Sequence, residues 1–522
     1  MTFFDELQKN LTDINNLQRT ENGAIGYKST GKTLLDMNFS IPKYRNTTDS
    51  EIADIYQQAY SENPLYAILW AFFARDIRGG LGERRLFRVL FNSLCVNNPD
   101  VARQLVKLVS EYGRWDDLVY STENTAVWND AVNVIKEQLL TDTANMKNGK
   151  PITLLGKWLP SERTSKQKTR KMARKLARTM GVPIKEYNKM LVALRGYSNV
   201  VEVKMSAKEW KAIDYSAVPS YANLRYNNAF LRNDEERRKT YLNALTKGET
   251  KINASTAFPH DIVRKYNSGR IDTTLEEMWK ALPDMGGLDN VIVVSDGSGS
   301  MTWSGNNNAR PLDIAYALSI YCSEHCKGEF KDKYITFSAM PQMVDLTKCN
   351  TLLDKLKVAK RHEDCSNTNI EAVFGIILDT AIESKAKQED IPETVLIISD
   401  MEFDNCVGSY KSVGGTDCWG SAVGHGYTKA DSALFNVIKK RFEKAGYKMP
   451  RIVFWNVASR TGTIPMKENE LGVTLVSGYS VSIFKMVANG ETDPYENLVK
   501  TITSERYQPV LEAVKPVLDW CN

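Results

Sequence analysis

The sequence predicts a chain in two parts: an α-helical array over residues 1–285 and a doubly wound, parallel α/β domain over residues 286–522. Three observations carry this. From about Ser50 to Lys280, apolar residues recur every three to four positions, the spacing of amphipathic helices. After Pro283-Asp-Met-Gly-Gly287 the pattern changes to short β-branched runs separated by amphipathic stretches, as in a sheet buried on both faces. Charge divides at the same place: residues 1–287 hold 43 Lys+Arg and 33 Asp+Glu, whereas residues 288–522 hold 25 and 30.

In the first part, Asn63-Pro64 opens a helix over Leu65 to Arg78, and Gly79-Gly80 stops it. Further helices are expected over Glu83–Leu94, Val101–Tyr112, Asp116–Tyr120, Thr125–Leu140, Ser165–Met180, Ile184–Arg195, Ala207–Ile213, Asn233–Thr246 and Pro259–Tyr266. Short connections between them indicate a stacked helical, HEAT-like array without a fixed repeat period, either an open arc or a closed ring. In the second part, strands are expected over Asn290–Ser295, Lys333–Phe337, Thr394–Ser399, Arg451–Val457 and Gly472–Val476. Helices are expected over Leu312–Cys326, Leu352–Lys360, Ile370–Glu383, Ala430–Ala445 and Val481–Val487.

At 42% apolar and 25% charged, the composition is that of a folded protein and excludes extended disorder. No apolar run approaches the roughly 20 residues of a membrane-spanning helix. The N-terminus lacks a basic start and apolar core, so no secretory leader is expected. Eight cysteines in 522 residues are too sparse for a disulfide framework, which predicts a reducing, cytoplasmic location. Cys322 and Cys326 flank His325 at helical spacing, the pattern of a buried thiol pair and short of the ligand number a structural zinc needs.

The run Val291-Ile-Val-Val-Ser295 leads directly into Asp296-Gly-Ser298-Gly-Ser300, at the carboxyl end of a strand, where open α/β sheets bind ligands. One carboxylate and two hydroxyls at alternate positions can converge on one centre, and hard oxygens of this kind suit Mg²⁺ or Mn²⁺. A plain helix-capping turn would use the same residue types. Thr368, opening a helix, and Asp400, following the strand Val395–Ser399, supply further oxygens at neighbouring edges. Glu402 and Asp404 read as a solvated acidic loop. The four histidines show no triad partners, so hydrolysis at this site is a minor alternative.

These residues resemble the von Willebrand factor A domain, whose metal-ion-dependent adhesion site combines Asp-x-Ser-x-Ser with a distant Thr and a distant Asp. The resemblance spans about residues 288–522 and implies a Rossmann-like fold. It implies that Ser298, Ser300 and Thr368 contact a divalent metal, most naturally Mg²⁺ with Mn²⁺ as the alternative, while Asp296 and Asp400 act largely through water. A metal held by neutral hydroxyls stays electrophilic and captures an acidic side chain from a protein partner.

A second signal lies in Arg163, Lys166, Lys168, Arg170, Lys171, Arg174, Lys175 and Arg178, a basic segment without an acidic residue. Arg170, Arg174 and Arg178 share one helix face, and such like charges repel unless an anion neutralises them. RNA phosphates are the leading partner, with a solvated face as the ordinary alternative. Met172, Ala173, Leu176 and Ala177 leave an apolar stripe too narrow for membrane binding. Nearby Tyr187, Tyr197, Trp210, Tyr215, Tyr221 and Tyr226 could stack unpaired bases, although most are expected in the core.

The strings Thr20-Glu-Asn-Gly-Ala24, Arg75-Asp-Ile-Arg-Gly-Gly-Leu-Gly-Glu-Arg84, Tyr112-Gly-Arg-Trp-Asp-Asp117 and Ser399-Asp-Met-Glu-Phe-Asp404 resemble a family related to the Ro autoantigen (TROVE-module) proteins. The resemblance covers nearly the whole chain. It implies a ribonucleoprotein scaffold, without enzymatic activity, in which a ring of helical repeats joined to a von Willebrand A domain binds small noncoding RNA or single-stranded RNA ends. Gly26-Tyr-Lys-Ser-Thr-Gly31-Lys32-Thr33 also fits a phosphate-binding loop, which would make the protein an NTPase. Its polar upstream flank and Pro42 downstream argue against that context.

Overall fold

The computed structural model describes residues 3–198, 200–284, 286, 288–303, 310–337, 341–363, 369–404, 415–416, 422–423, 434–467, 471–488 and 491–518. They form two compact units interleaved along the chain. The α/β unit comprises Met1–Asn46, Val263–Gly269 and Asp284–Val499; the helical unit comprises Thr47–Ile262, Arg270–Pro283 and Lys500–Asn522. The boundary expected near 285 is therefore one of several crossings, and the two chain ends lie in the units opposite to those assigned from sequence. The α/β unit claims the N-terminus because strands β1 (Leu17–Arg19) and β2 (Ile25–Tyr27) form a hairpin whose Tyr27 exchanges backbone hydrogen bonds with Ile464. The helical unit claims the C-terminus because Arg506 pairs with Asp76 and Tyr507 stacks on Tyr112. The charge asymmetry persists after this reassignment: the helical unit holds 38 Lys+Arg and 30 Asp+Glu, a net of +8, and the α/β unit holds 30 and 33, a net of −3.

The α/β unit is built on a six-stranded sheet containing β3 (Val291–Asp296), β4 (Lys333–Phe337), β5 (Met343–Asp345) and β6 (Thr394–Ser399). After a separate hairpin of β7 (Gly415–Thr416) and β8 (Ala422–Val423), it is completed by β9 (Arg451–Asn456) and β10 (Val473–Ser477). The strand order is β10-β9-β6-β3-β4-β5, parallel throughout except for the edge strand β5. Strands β3, β6, β9 and β10 are buried along their whole length, which is why their sequences are unbroken apolar runs. All five strands read from the sequence are present within a residue at each end. The antiparallel edge strand β5 was not expected, because its three residues alternate exposed, buried, exposed and carry no run signal. Helix Pro311–His325 is buried on nearly every side, and its Cys322 and Cys326 are free thiols in the core.

The helical unit follows its capping signals. Thr48 and Glu51 form a reciprocal capping box that opens helix Asp49–Glu62. Asn63 accepts a hydrogen bond from the Tyr66 amide to open Pro64–Arg75. That helix stops three residues before the expected Arg78, because Asp76 turns extended and accepts from the Arg78 amide. Gly80 then passes so close to the Phe73 carbonyl that a Cβ would lie 2.0 Å from its oxygen. Between 200 and 246 the sequence reading was coarser than the fold. Where a helix is expected at Ala207–Ile213 the chain makes a 3₁₀ turn, Trp210–Ala212, preceded by a short helix, Val201–Ser206, and followed by a second 3₁₀ turn, Tyr215–Ala217. Ser220–Asn233, a helix the reading left out, precedes Glu235–Thr246. The core of Val201, Ile213, Tyr215, Val218 and Phe230 accounts for this: its apolar residues come from turns as well as from helix faces.

Candidate functional site

Parallel strands β3 and β6 lie side by side, with Ser295 opposite Ile398, and Asp296 and Asp400 stand at their carboxyl ends. The chain passes from β3 to β4 on one side and returns to β6 on the other. The crevice between β3 and β6 is thus a topological switch point, the usual ligand position of an open α/β sheet. Both carboxyls are buried, at 0% and 1% exposure.

Asp296 is held on both oxygens: the Ser298 amide donates to Oδ1 at 2.9 Å and the Ser399 hydroxyl to Oδ2 at 2.6 Å. The hydroxyls of Ser298 and Ser300 are 2.9 Å apart. Asp400 accepts from the Glu402 amide at 3.2 Å through Oδ1, while its buried Oδ2 has no hydrogen-bond partner among the described residues. Of the five predicted metal residues, these four converge; Thr368 lies outside the described residues. Burial, reinforced by the charge of Asp400, pushes the Asp296 carboxyl up from its ordinary range. Burial likewise pushes Asp400 up, with Ser300, the Glu402 amide and Arg460 pulling the other way. Two buried carboxyls, Asp296 opposed by the charge of Asp400 and Asp400 by that of Glu402, with two hydroxyls close by and one oxygen unbonded among the described residues, fit a small divalent cation that would neutralise them. Among the described residues no three His, Cys, Asp or Glu side chains gather as a metal-holding group, so the hydroxyls are indispensable to any such site. Met401, between Asp400 and Glu402, has φ of 62°, a left-handed conformation costing a non-glycine residue about 1–2 kcal/mol. This backbone strain is stored at the candidate site.

Glu402 is not solvated, contrary to the sequence reading. It is fully buried and accepts hydrogen bonds from the amides of Glu21, Arg460 and Thr461 and from the hydroxyls of Ser459 and Thr461. The Thr20 hydroxyl donates to the Phe403 carbonyl at 2.7 Å and the Asn22 amide to the Glu402 carbonyl at 2.6 Å. The strings Thr20–Ala24 and Ser399–Asp404, far apart in sequence, thus form one structure at the sheet's ligand edge.

In the helical unit, Gln167–Thr179 buries Met172, Ala173, Leu176 and Ala177 and turns its cations outward. Arg163, Lys166, Lys168, Arg170, Lys171, Arg174 and Arg178 are exposed and Lys175 is half-buried. Two of the eight have internal duties. Arg174 pairs with Glu162 at 2.6 Å, and Lys175 bonds Asn124 and lies over the Trp128 ring. Among the described residues no carboxylate pairs with Lys168, Arg170, Lys171 or Arg178. Tyr187 and Tyr215 are core residues, whereas Tyr221 is 56% exposed. The same unit contains a cleft of about 640 Å³, which sequence reasoning missed; Lys107, Gln138, Thr141 and Trp158 line it, with the Arg114 guanidinium 3.9 Å from the Trp158 ring.

The segment Gly26–Thr33 does pass from a strand to a helix, but β2 is a three-residue hairpin strand and the helix, Thr33–Phe39, has seven residues. The loop's donors already serve Asp36, which accepts from the Thr30 amide at 2.8 Å and the Thr30 hydroxyl at 2.7 Å. An internal carboxylate stands where a phosphate-binding loop would cradle phosphate.

Residues 20–180 and 184–286 match the model of a domain of unknown function, DUF2828, and residues 290–517 match that of another, DUF7788. The chain belongs to the DUF2828 family. An uncharacterized protein of Acanthamoeba polyphaga mimivirus is 30% identical over 536 residues, covering 95% of this chain and 89% of the viral protein. The crystal structure of the Deinococcus radiodurans RO (RSR) protein aligns with 89% of this chain and 100% of its own, at 12% identity and a TM-score of 0.49. The two matching models are domains of unknown function, and neither is a von Willebrand factor A model.

Within this DUF2828 chain, the strings Arg75–Arg84 and Tyr112–Asp117 build an internal ion-pair network. Buried Asp117 receives Arg75 at 2.7 Å and Arg88 at 2.7 Å, while Asp116 receives Arg88 and Arg114, each at 2.9 Å. Gly113 leaves room for it: a Cβ there would lie 2.9 Å from Asp117 Oδ2 and 3.1 Å from Arg75 Nε.

Proposed function

We propose that the protein is a non-enzymatic RNA-binding scaffold that resembles Ro ribonucleoproteins and holds small noncoding or structured RNA with single-stranded ends through its helical unit. The observation that carries this reading is the helix Gln167–Thr179, whose Lys168, Arg170, Lys171 and Arg178 face outward without a carboxylate partner among the described residues, on a unit of net charge +8. Exposed Tyr221 and the cleft beside Trp158 add aromatic surface for unpaired bases. A cytoplasmic location accords with this reading. Binding of a fluorescent single-stranded RNA across a salt series tests it. Affinity should fall steeply with salt, and Arg170→Glu/Lys171→Glu/Arg178→Glu should weaken it. Equal affinity in parent and variant, or no binding at low salt, overturns the reading.

A second reading rests on the unbonded Asp400 Oδ2. Asp296, Ser298, Ser300 and Asp400 would hold Mg²⁺, or Mn²⁺, as an adhesive contact for a protein partner's acidic side chain, on a von Willebrand A-like unit. The cation's vacant coordination position would supply the attraction. Calorimetric Mg²⁺ binding that is lost in Asp296→Ala is the expected result; equal heats in parent and variant overturn it.

A further inference from the structure

Asp400 and Glu21 share one guanidinium. Arg460 Nη2 lies 3.0 Å from Glu21 Oε2 and 3.7 Å from Asp400 Oδ2. The second distance is too long for a hydrogen bond, so Asp400 Oδ2 feels the positive charge and stays unbonded. The backbone of Arg460 is fixed, because its amide donates to buried Glu402 Oε1. Its side chain is 35% exposed and Glu21 is 43% exposed, against 1% for Asp400. The guanidinium therefore has an anchored root, a half-exposed head paired with Glu21, and two carboxylates in reach, one buried and one at the surface. The Trp303 ring, 59% exposed, has its centroid 5.9 Å from the same guanidinium.

We propose that Arg460 is the resident counter-cation of the Asp296–Asp400 site, that a divalent cation displaces it, and that Glu21 is the acceptor to which it retires. The proposal rests on the metal reading of that site. Without a divalent ion, two buried carboxyls face each other and Arg460 is the cation placed to screen Asp400. When the ion arrives, its charge and that of the guanidinium repel, and the guanidinium is held by Glu21 alone. Arg460 thus sets metal affinity without touching the metal, and the N-terminal segment, through Glu21, belongs to the site it packs beside.

The two residues should act with opposite sign. Arg460→Gln removes the competitor and should tighten Mn²⁺ binding by roughly tenfold, the scale on which one nearby charge shifts a carboxylate equilibrium. Glu21→Gln removes the acceptor and should weaken binding by about two- to fivefold, the range of an exposed ion pair. In the double variant the Glu21→Gln effect should vanish. The full-length chain is titrated with Mn²⁺ and free ion is read by electron paramagnetic resonance, with thermal melting in EDTA alongside. Metal-free Arg460→Gln should melt lower than the parent, and Mn²⁺ should raise its melting temperature by more. If the parent binds Mn²⁺ and Arg460→Gln binds it equally or more weakly, Arg460 is no competitor and the metal reading stands without it. If neither binds Mn²⁺, both fall together.

Discussion

Buried charge is treated in opposite ways at two places, one in each unit. In the helical unit, Asp117 is fully buried between Arg75 and Arg88, Asp76 is paired with Arg506, and each carboxylate meets a guanidinium at hydrogen-bond distance. In the α/β unit, Asp296 and Asp400 are as deeply buried, the charge of Asp400 acts on Asp296, and Asp400 Oδ2 has no hydrogen bond among the described residues. A closed network leaves no valence for a ligand and serves packing. An open pair of buried carboxyls resists ionisation and is relieved by a proton or by a cation, which marks it as a candidate site. The comparison separates residues that look equally important in sequence: Arg75, Asp116 and Asp117 form a closed ion-pair network in the helical unit, and Asp296 and Asp400 form a buried carboxyl pair left open on one oxygen among the described residues.

Substitutions can break this contrast at either end. The largest effect is expected for Asp117→Ala, which leaves Arg75 buried without its partner and should cost about 3–5 kcal/mol in denaturant unfolding of the helical unit. A loss below 1 kcal/mol would mean that the network is not closed as described. Next is the charge reversal of Arg170, Lys171 and Arg178. It should lower RNA affinity by about tenfold or more and flatten the salt dependence by roughly one unit per lost phosphate contact, with thermal stability unchanged. A variant that also melts early would show that the helix face packs against something.

At the open pair the sign reverses. Asp400 ionises less readily in the fold than in the unfolded chain, so its charged form opposes folding at neutral pH and the neutral isostere relieves it. Asp400→Asn should therefore gain about 1 kcal/mol in EDTA and fail to respond to Mg²⁺, whereas the parent gains stability with Mg²⁺. An Asn variant less stable than the parent in EDTA would place Asp400 among the closed networks. The smallest effect is expected for Lys32→Ala. Its side chain lies over the Tyr495 ring at 5.2 Å on the surface, and its removal should change stability by less than about 0.5 kcal/mol. Nucleotide hydrolysis by the parent that disappears in this variant would restore the phosphate-loop reading.

Much of this was legible in the sequence where physics is local. Strands β3, β6, β9 and β10 announce themselves as apolar runs because both faces are covered, and Asp296-x-Ser298-x-Ser300 is readable because its geometry lies within five residues. The basic helix was readable as a cation face, but the pairing of Arg174 with Glu162 and of Lys175 with Asn124 was not, since those partners come from turns of no distinctive pattern. Glu402 was misread for the same reason. Its acidic neighbours suggested solvent, while the donors that bury it come from 21 and 459–461. The single domain boundary failed because a composition shift marks where the pattern changes along the chain, whereas packing is decided by hairpin Leu17–Tyr27 and by Arg506 and Tyr507, too short to move any average.

The interleaving of the units has a consequence for how the protein is made. Residues 1–46 leave the ribosome early, yet the segments they hydrogen-bond, around Phe403 and Ile464, emerge more than 350 residues later. Asp76 and Tyr112 likewise wait for Arg506 and Tyr507, which follow them by 430 and 394 residues in the Asp76–Arg506 and Tyr112–Arg506 bonds. Neither unit can close before these distant segments have been made, so the basic helix is exposed to the cell well before the fold that presents it is finished.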